Sequence, residues 1–294
     1  MKKMTALLIG LGQIGCGYDA DLPYKADQPR SSSRTLSHAR ALACHPGFTL
    51  LAGVDPNPDA RQRFSRIYGL KAHADLNSWY EEAKISSLDL VVIAVPPQLQ
   101  AGVVANLLQL TEPRLLLLEK PVAISTGQAQ SLLTSCAQLP EMGVAVNYIR
   151  RWLPPVLAWK HRLQARELGS LLHGQIVYGK GLLFNGSHFV NLAEAWLGPL
   201  RPDRLLHLGP GCFVFDREVS LELLASCHDD APLLLRSVGA AGLRAGELDL
   251  WFQGGRLCWC NDGNAIAFWP RGDPSSGDTY APLVGQPEIF PTGM

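Results

Sequence analysis

Three glycines near the start of the chain have the spacing of a phosphate-binding turn. Gly10, Gly12 and Gly15 directly follow residues 6–9, an unbroken apolar run typical of a parallel strand that is covered on both faces. The first glycine of such a turn allows the sharp bend, the second lets the backbone approach a pyrophosphate, and the third lets a helix pack closely. The pyrophosphate would accept hydrogen bonds from free N–H groups at the start of the next helix. The cofactor contacts predicted in this turn are Gly10, Gly12, Gln13, Ile14 and Gly15.

An acid that could bind an adenosine ribose follows the second predicted strand. Asp55 comes directly after Phe48–Val54, where dinucleotide-binding domains place a carboxylate for the ribose hydroxyls. The usual interval from the glycines is about 20 residues, whereas Gly15 and Asp55 are 40 positions apart. We attribute the difference to an insertion over 17–34, which we expect to lie beside the cofactor and to become ordered on binding. The alternative is that Asp55 is a turn residue before Pro56.

A lysine with the position of a proton-transfer group follows a later strand. The apolar run Leu115–Leu118 ends in Glu119-Lys120-Pro121, and ligands of parallel sheets bind at the carboxyl ends of the strands. A lysine can take a hydroxyl proton during hydride transfer if its surroundings lower its pKa towards neutrality. The alternative is a surface lysine at a strand end. The remaining predicted cofactor contacts at this edge are Asp55, Val95, Pro96, Glu119 and Lys120.

The elements that must position these residues fall into two patterns. Strands and helices alternate up to about residue 150, which is the signature of a parallel α/β domain. After one more helix, short apolar runs separated by turn signals predict a mostly antiparallel sheet, and 270–294 reads as a loose tail. We therefore predict a dinucleotide-binding domain over 1–150 and an α+β substrate and oligomerisation domain over 151–294.

Composition excludes several classes of protein. The 26 basic and 26 acidic side chains give a net charge of +0, so neither nucleic acid nor an anionic membrane is expected as a partner. The seven cysteines are scattered and odd in number, which argues against a disulfide framework and favours the cytoplasm. The histidines lack metal-ligand spacing, so we predict no metal. Although Met1-Lys-Lys precedes an apolar stretch, the glycines interrupt it, and we expect neither a signal peptide nor a lipoprotein site.

Taken together, the glycine turn, Asp55, Glu119-Lys120-Pro121 and Gly186-Ser187-His188 resemble the Gfo/Idh/MocA family of glucose–fructose oxidoreductase and inositol dehydrogenase. The resemblance covers about residues 4–198. It implies a Rossmann domain followed by an open antiparallel sheet, binding of NAD or NADP, and oxidation or reduction of a sugar or cyclitol carbon. It also implies that Lys120 is the catalytic lysine, that His188 is the active-site histidine, and that copies associate through the C-terminal sheet.

The sequence departs from the family pattern near His188. Phe184 and Asn191 occupy positions where the family often has aspartates, and residues 178–192 are similar to a branch associated with polysaccharide or nucleotide-sugar biosynthesis. Without an acid at 184, we expect His188 to bind substrate or relay a proton rather than act as the sole base. The other predicted substrate contacts are Tyr148, Arg150, Arg151 and Asn185. The structural alternatives for these residues are helix capping or an interdomain ion pair.

These observations predict an NAD(P)-dependent oxidoreductase that acts on a hydroxyl or keto carbon of a sugar derivative. Because Asp55 would repel a 2′-phosphate, we expect NAD rather than NADP. Two alternatives stay open from sequence alone. One is a net non-redox sugar enzyme with tightly bound NAD, and the other is a catalytically silent dinucleotide-binding regulator.

Overall fold

The computed structural model describes residues 3–24, 35–209, 219–227, 230–239, 245–274 and 280–293. The chain divides into two compact units, Met1–Asn147 and Tyr148–Met294. None of the helices in the described ranges has the length and hydropathy that a membrane crossing needs.

The first unit is a doubly wound parallel sheet, as predicted. Its helices are α1 His38–Cys44, α2 Pro58–Tyr68, α3 Leu76–Ala83, α4 Pro97–Leu110 and α5 Thr126–Cys136. Its strands are β1 Met4–Ile9, β2 Phe48–Val54, β3 Ala72–His73, β4 Ser87–Leu88, β5 Leu90–Ile93, β6 Glu112–Pro113, β7 Leu115–Leu118 and β8 Gly143–Val146. Six of them form a sheet in the order β3-β2-β1-β5-β7-β8, and β4 pairs with β6. The order places β1 at the centre, where the direction of winding reverses and ligands of such sheets bind.

The unbroken apolar run of β1 is explained by two cores, one on each face of the sheet. Leu7 and Ile9 pack into a core with residues of α3, α4 and α5. Ala6 and Leu8 pack into a second core with residues of α1 and α2. Because successive side chains of a strand point to opposite faces, a strand buried on both sides has no polar positions.

Hydrogen bonds to one buried carboxylate link the two segments that flank residues 25–34. Asp19 accepts hydrogen bonds from the N–H groups of Leu36 and Ser37 at 2.8 and 2.9 Å and from the Ser37 hydroxyl at 2.6 Å. The buried Arg40 guanidinium donates to the carbonyls of Asp19 and Leu22, at 2.7 and 2.8 Å. The segment therefore leaves and rejoins the Rossmann unit at one point. Residues 25–34 lie outside the described part, so the expected ordering on cofactor binding stays a prediction.

In its described residues, the second unit is an eight-stranded, mostly antiparallel sheet with the α-helices α6 Pro154–Gln164 and α7 Ser187–Leu197. Its strands are β9 Leu171–Tyr178, β10 Arg201–Gly209, β11 Ser220–Ser226, β12 Pro232–Ser237, β13 Gly246–Phe252, β14 Gly255–Cys260, β15 Ala265–Pro270 and β16 Glu288–Pro291. They follow the order β10-β11-β12-β9-β13-β14-β15-β16, and only β12 and β9 pair in parallel among these strands. The core lies between one face of this sheet and the two helices.

The expectation of a loose tail is wrong for part of 270–294. Residues Glu288–Pro291 form β16, which pairs antiparallel with β15. The segment has weak strand patterning of its own, and its backbone is ordered by hydrogen bonding to the exposed edge of β15. An edge strand is held by backbone pairing, which does not require an alternating side-chain pattern.

Candidate active site

The three glycines of the turn differ in what requires them. Gly10 has φ +93°, and a Cβ built on it would lie 2.5 Å from the carbonyl oxygen of Ala94. A Cβ on Gly15 would lie 2.0 Å from the carbonyl oxygen of Gly10. A Cβ on Gly12 would meet no atom within 4 Å, and this residue is exposed. The protein's own packing therefore requires Gly10 and Gly15, whereas the need for glycine at position 12 comes from whatever occupies the open space beside it.

The glycine turn continues into a single π-helical turn, Gln13–Gly17, and not into an α-helix. The N–H of Tyr18 donates to the carbonyl of Gln13 at 2.9 Å, and the N–H of Cys16 to that of Gly12 at 2.8 Å. The first α-helix begins only at His38, after the insertion. Gln13 is exposed and Ile14 is half-buried. π-helical turns are rare in proteins, and many of those that occur lie at functional sites.

Asp55 is held rigidly at the edge of the sheet beside the turn. Its Oδ2 accepts from the N–H of Leu11 at 2.7 Å, and its Oδ1 accepts from the N–H of Asn57 at 2.8 Å. Arg61 donates to the carbonyls of Asp55 and Pro56, both at 2.8 Å. Each carboxylate oxygen keeps further acceptor capacity, so these bonds orient Asp55 without preventing it from accepting ribose hydroxyls.

Glu119 is the centre of a hydrogen-bond network that sequence reasoning missed. Its Oε1 lies 2.8 Å from His38 Nε2 and 2.6 Å from Asn147 Nδ2, and its Oε2 accepts from the N–H of Lys120 at 3.2 Å. Burial alone would raise the pKa of the Glu119 carboxyl, but the hydrogen bonds from His38 and Asn147 outweigh burial and leave it lowered. An ionised carboxylate only accepts hydrogen bonds, so His38 is the donor in this pair.

The buried amide of Gln100 fixes the backbone on either side of Lys120. Its Nε2 donates to the carbonyl of Glu119 at 2.8 Å and to that of Pro121 at 3.0 Å. The Lys120–Pro121 peptide is cis, and the Lys120 side chain is half-buried. The lysine that carries the predicted chemistry therefore leaves the sheet from a backbone that is tied down on both sides. A glutamine inside an apolar helix was the only signal in the sequence.

The other predicted contacts in this unit lie at the same edge. The Ala94 N–H donates to the Ile9 carbonyl at 2.7 Å, and that of Glu119 to the Ile93 carbonyl at 2.9 Å. These bonds continue the sheet one residue beyond its strands and bring Gly10, Val95 and Glu119 to neighbouring positions. Val95 is half-buried, and the exposed Pro96 caps the start of α4.

In the second unit, the predicted His188 and Tyr148 form a ring contact. Their ring centroids are 5.6 Å apart at an interplanar angle of 89°, an edge-to-face arrangement. His188 is 9% exposed and lies in the first turn of α7. The Arg150 guanidinium lies 5.2 Å from the ring centroid of the next residue, Phe189. The segment that opens this unit therefore packs on the N-terminal turn of α7.

Asn185 and Asn191 flank this histidine and differ in their bonding. The amide of Asn185 donates to the carbonyls of Gly179 and Ala245 at 2.9 and 3.1 Å, so it holds the preceding π turn, Leu182–Gly186. The Oδ1 of Asn191 is buried and accepts no hydrogen bond from the described residues. Asn191 lies three residues after His188, on the same face of α7. This buried amide oxygen, beside a predicted ligand-binding histidine, is therefore available to accept a hydrogen bond from a ligand.

Arg151 differs from the other predicted substrate contacts. It lines a cavity with residues of α6 and the end of α7, and neither His188 nor Tyr148 lines that cavity. Within the described ranges, no cluster of His, Cys, Asp and Glu has the arrangement of a metal site.

The first unit thus has the fold and the phosphate-binding turn of an NAD-binding oxidoreductase domain. A family model for an oxidoreductase family with an NAD-binding Rossmann fold matches residues 4–148. The first unit therefore matches the model of the Gfo/Idh/MocA oxidoreductase family, and the expected NAD(P)-dependent oxidoreductase is confirmed at this level.

Relatives extend the likeness to both units. A protein of Amycolatopsis mediterranei, provisionally named the UDP-kanosamine synthase oxidoreductase subunit, is 27% identical over 171 residues, which cover 53% of this chain and 46% of that protein. The chain thus aligns with about half the length of this curated relative. The WlbA dehydrogenase of Chromobacterium violaceum, solved with NADH and UDP-GlcNAcA, has a TM-score of 0.74 at 15% identity, covering 94% of this chain and 79% of that one.

A third comparison involves a different cofactor. KijD10, a 3-ketoreductase of Actinomadura kijaniata solved with TDP-benzene and NADP, has a TM-score of 0.68 at 15% identity, covering 99% of this chain and 85% of that one. At such identities the structural likeness establishes the shared fold. It confirms the two-part architecture, a Rossmann domain followed by a mostly antiparallel sheet domain.

Proposed function

We propose that this protein transfers a hydride to or from a hydroxyl or keto carbon of a nucleotide-linked sugar, with NAD as cofactor. The observation that supports binding of the cofactor is the open space beside Gly12. The protein itself does not fill this space, so a cofactor pyrophosphate would have room to approach the backbone there. The sugar part is supported by the relatives, whose names or bound ligands are nucleotide sugars or related nucleotides.

The residues of the first unit fit a dinucleotide. The glycine turn would hold the pyrophosphate, Asp55 the adenosine ribose, and Val95, Pro96 and Glu119 the nicotinamide half. When bound, the cofactor supplies the hydride acceptor or donor. We propose NAD over NADP because the oriented carboxylate of Asp55 would repel a 2′-phosphate. Arg61 lies on the same stretch of backbone and would reduce, but not reverse, this preference.

Lys120 is the proposed proton-transfer residue. Oxidation of a carbinol carbon requires removal of the hydroxyl proton as the hydride leaves, and reduction requires the reverse. The Lys120 amine would take the proton from, or return it to, the sugar oxygen. Gln100 and Glu119 act on its backbone, so we assign them a positioning role.

His188, Tyr148, Arg150 and Asn191 are the proposed substrate-binding residues of the second unit. Imidazole, phenol and amide groups all hydrogen-bond to sugar hydroxyls. The Asn191 Oδ1 accepts no hydrogen bond from the residues that the structure describes, and a substrate hydroxyl group would donate one. Asn185 contributes less than the sequence suggested, because its amide N–H groups already donate to backbone carbonyls.

A turnover experiment tests this proposal. The purified protein is incubated with a panel of UDP- and TDP-linked sugars and NAD+ or NADH, and the absorbance of the reduced nicotinamide is followed. Net turnover supports the proposal. Product formation without net cofactor change would indicate a non-redox reaction, and cofactor binding without product on any sugar would indicate a silent regulator.

We also propose that copies of the chain associate through the outer face of the C-terminal sheet. A row of directly paired residues crosses this face: Trp269, Arg256, Trp251 and His173. The Arg256 guanidinium lies 5.0 and 5.1 Å from the two indole centroids, and the His173 and Trp251 rings stack at 5.9 Å. Half-exposed tryptophans are enriched at protein interfaces. Light scattering should give a mass above one chain, and Trp251→Glu should reduce it.

We place the protein in the cytoplasm. The six cysteines within the described residues are free thiols, as expected in a reducing compartment. Burial, together with the neighbouring Asp249 carboxylate, raises the pKa of the Cys258 thiol to about 12, so this cysteine is not a reactive thiolate.

A further inference from the structure

A cavity of about 370 Å³ in the second unit contains positive charge that no proposed function above uses. It lies where α6, the end of α7 and the ends of β9 and β13 meet. Its charged lining residues are Arg151, Lys160, Arg166 and Glu194. Three cations and one carboxylate leave two positive charges in excess.

Within the part of the chain that the structure describes, two of these cations have no ion-pair partner. Arg151 and Lys160 are both half-buried, and neither side chain forms an ion pair or hydrogen bond within the described ranges. The Arg151 guanidinium lies 5.7 Å from the ring centroid of Trp152, which carries no charge. Holding two cations in a partly desolvated cavity is unfavourable unless an anion joins them. Carbonyls at the end of α7 offset part of this cost, because a helix C-terminus favours cations.

The remaining lining suits the body of a small organic molecule. Leu163, Trp196 and Phe252 provide apolar surface, and Gln164 provides an amide. The volume is at the lower end of the range for small-molecule sites, about 300–1,000 Å³. An inorganic ion alone would leave most of this space unfilled.

We propose that this cavity binds a small organic phosphate, whose dianionic group joins Arg151 and Lys160 and whose body packs on the apolar wall. The site is distinct from the predicted substrate residue His188, which is at the other end of α7. With a rise of 1.5 Å per residue, the two lie on the order of 10 Å apart along the helix. The ligand would therefore contact the helix that carries His188 without competing for it. This inference does not depend on the identity of the sugar substrate.

Calorimetric titration of the NADH-saturated protein with uridine monophosphate, inorganic phosphate and citrate tests the proposal. Saturating NADH keeps the nucleotide out of the cofactor site. The wild-type protein should bind uridine monophosphate more tightly than either other probe. Lys160→Met should weaken this binding about 10- to 100-fold, as expected for the loss of one charged hydrogen bond. Lys84→Met, which removes an exposed lysine of the first unit, and His188→Ala should leave it unchanged.

Several outcomes would overturn the proposal. They are no saturable binding of any probe, tighter binding of citrate, equal binding of inorganic phosphate, or loss of binding in His188→Ala. If the cations serve only to cap α7, Lys160→Met will lower the melting temperature and leave uridine monophosphate binding intact. Should Lys160→Met fail to fold, Arg151→Gln compared with the exposed Arg204→Gln provides the same test.

Discussion

Replacing Gly12 by alanine should separate cofactor binding from folding. Gly12 has an extended backbone with a negative φ, −64°, and ψ −159°, and the added methyl meets no atom within 4 Å. At Gly10 and Gly15 the added methyl would collide with backbone carbonyls, at 2.5 and 2.0 Å. The same substitution in one turn is therefore expected to have opposite consequences for stability.

The magnitudes follow from these contacts. Gly12→Ala should stabilise the fold by about 0.4–1 kcal/mol, because alanine restricts the unfolded chain. Gly10→Ala and Gly15→Ala should destabilise it by more than about 1–3 kcal/mol, the usual cost of strain and overpacking. For NADH, the Gly12 methyl would displace the pyrophosphate from its N–H donors. Losing one charged hydrogen bond costs about 1.5–3 kcal/mol, so affinity should fall about 10- to 100-fold.

The assay combines thermal unfolding with titration of NADH. Gly102→Ala is the matched control, because Gly102 also has open space around its Cβ but lies inside α4. That variant should keep wild-type NADH affinity. If Gly12→Ala binds NADH as the wild type does, the dinucleotide does not pass over Gly12. If Gly12→Ala is destabilised as much as Gly10→Ala, the space beside Gly12 is not open in the folded protein.

Three further predictions concern the edge of the Rossmann sheet. Lys120→Met should lower turnover by about 10²- to 10⁴-fold and leave NADH affinity unchanged. Near-full turnover of this variant would refute the role of Lys120 in proton transfer, and Lys84→Met is the control. NADH should bind at least about tenfold more tightly than NADPH, and Asp55→Asn should reduce this difference in affinity, because it removes the charge that repels a 2′-phosphate. Tighter binding of NADPH would contradict this prediction. Because the folded-state pKa of Glu119 is lowered, its ionised form adds stability above its unfolded pKa, and this stability is lost as the pH falls through the folded value. The difference in melting temperature between wild type and Glu119→Gln should therefore shrink as the pH falls from 7 to about 4, where carboxyl groups titrate. A difference that does not change with pH would count against the hydrogen-bond network. Glu141→Gln, at an exposed glutamate, is the control.

Local pattern determined most of the first unit. The strands Phe48–Val54 and Leu115–Leu118 lie where the sequence predicts them, and the helix Pro58–Tyr68 begins and ends at residues typical of helix boundaries. Strong local signals mark them, since Pro58 opens that helix and Gly69, with φ +66°, ends it. The glycine turn, Asp55 and Lys120 were also recognisable, because the carboxyl edge of a parallel sheet collects whatever follows its strands.

Tertiary structure decided the bonding of these residues. Nothing in the sequence joins His38 and Asn147 to Glu119, since they are 81 and 28 positions away and meet only because their strands and helix converge at one edge. Nor could spacing show that Gly12 faces open space while Gly10 and Gly15 face backbone. The sequence suggested Arg151 only as a substrate contact and gave Lys160 no role, whereas the packing of α6 and α7 places both on one cavity. Sequence pattern specifies which face of each element is apolar, whereas the partners of its polar groups depend on segments far away in the chain.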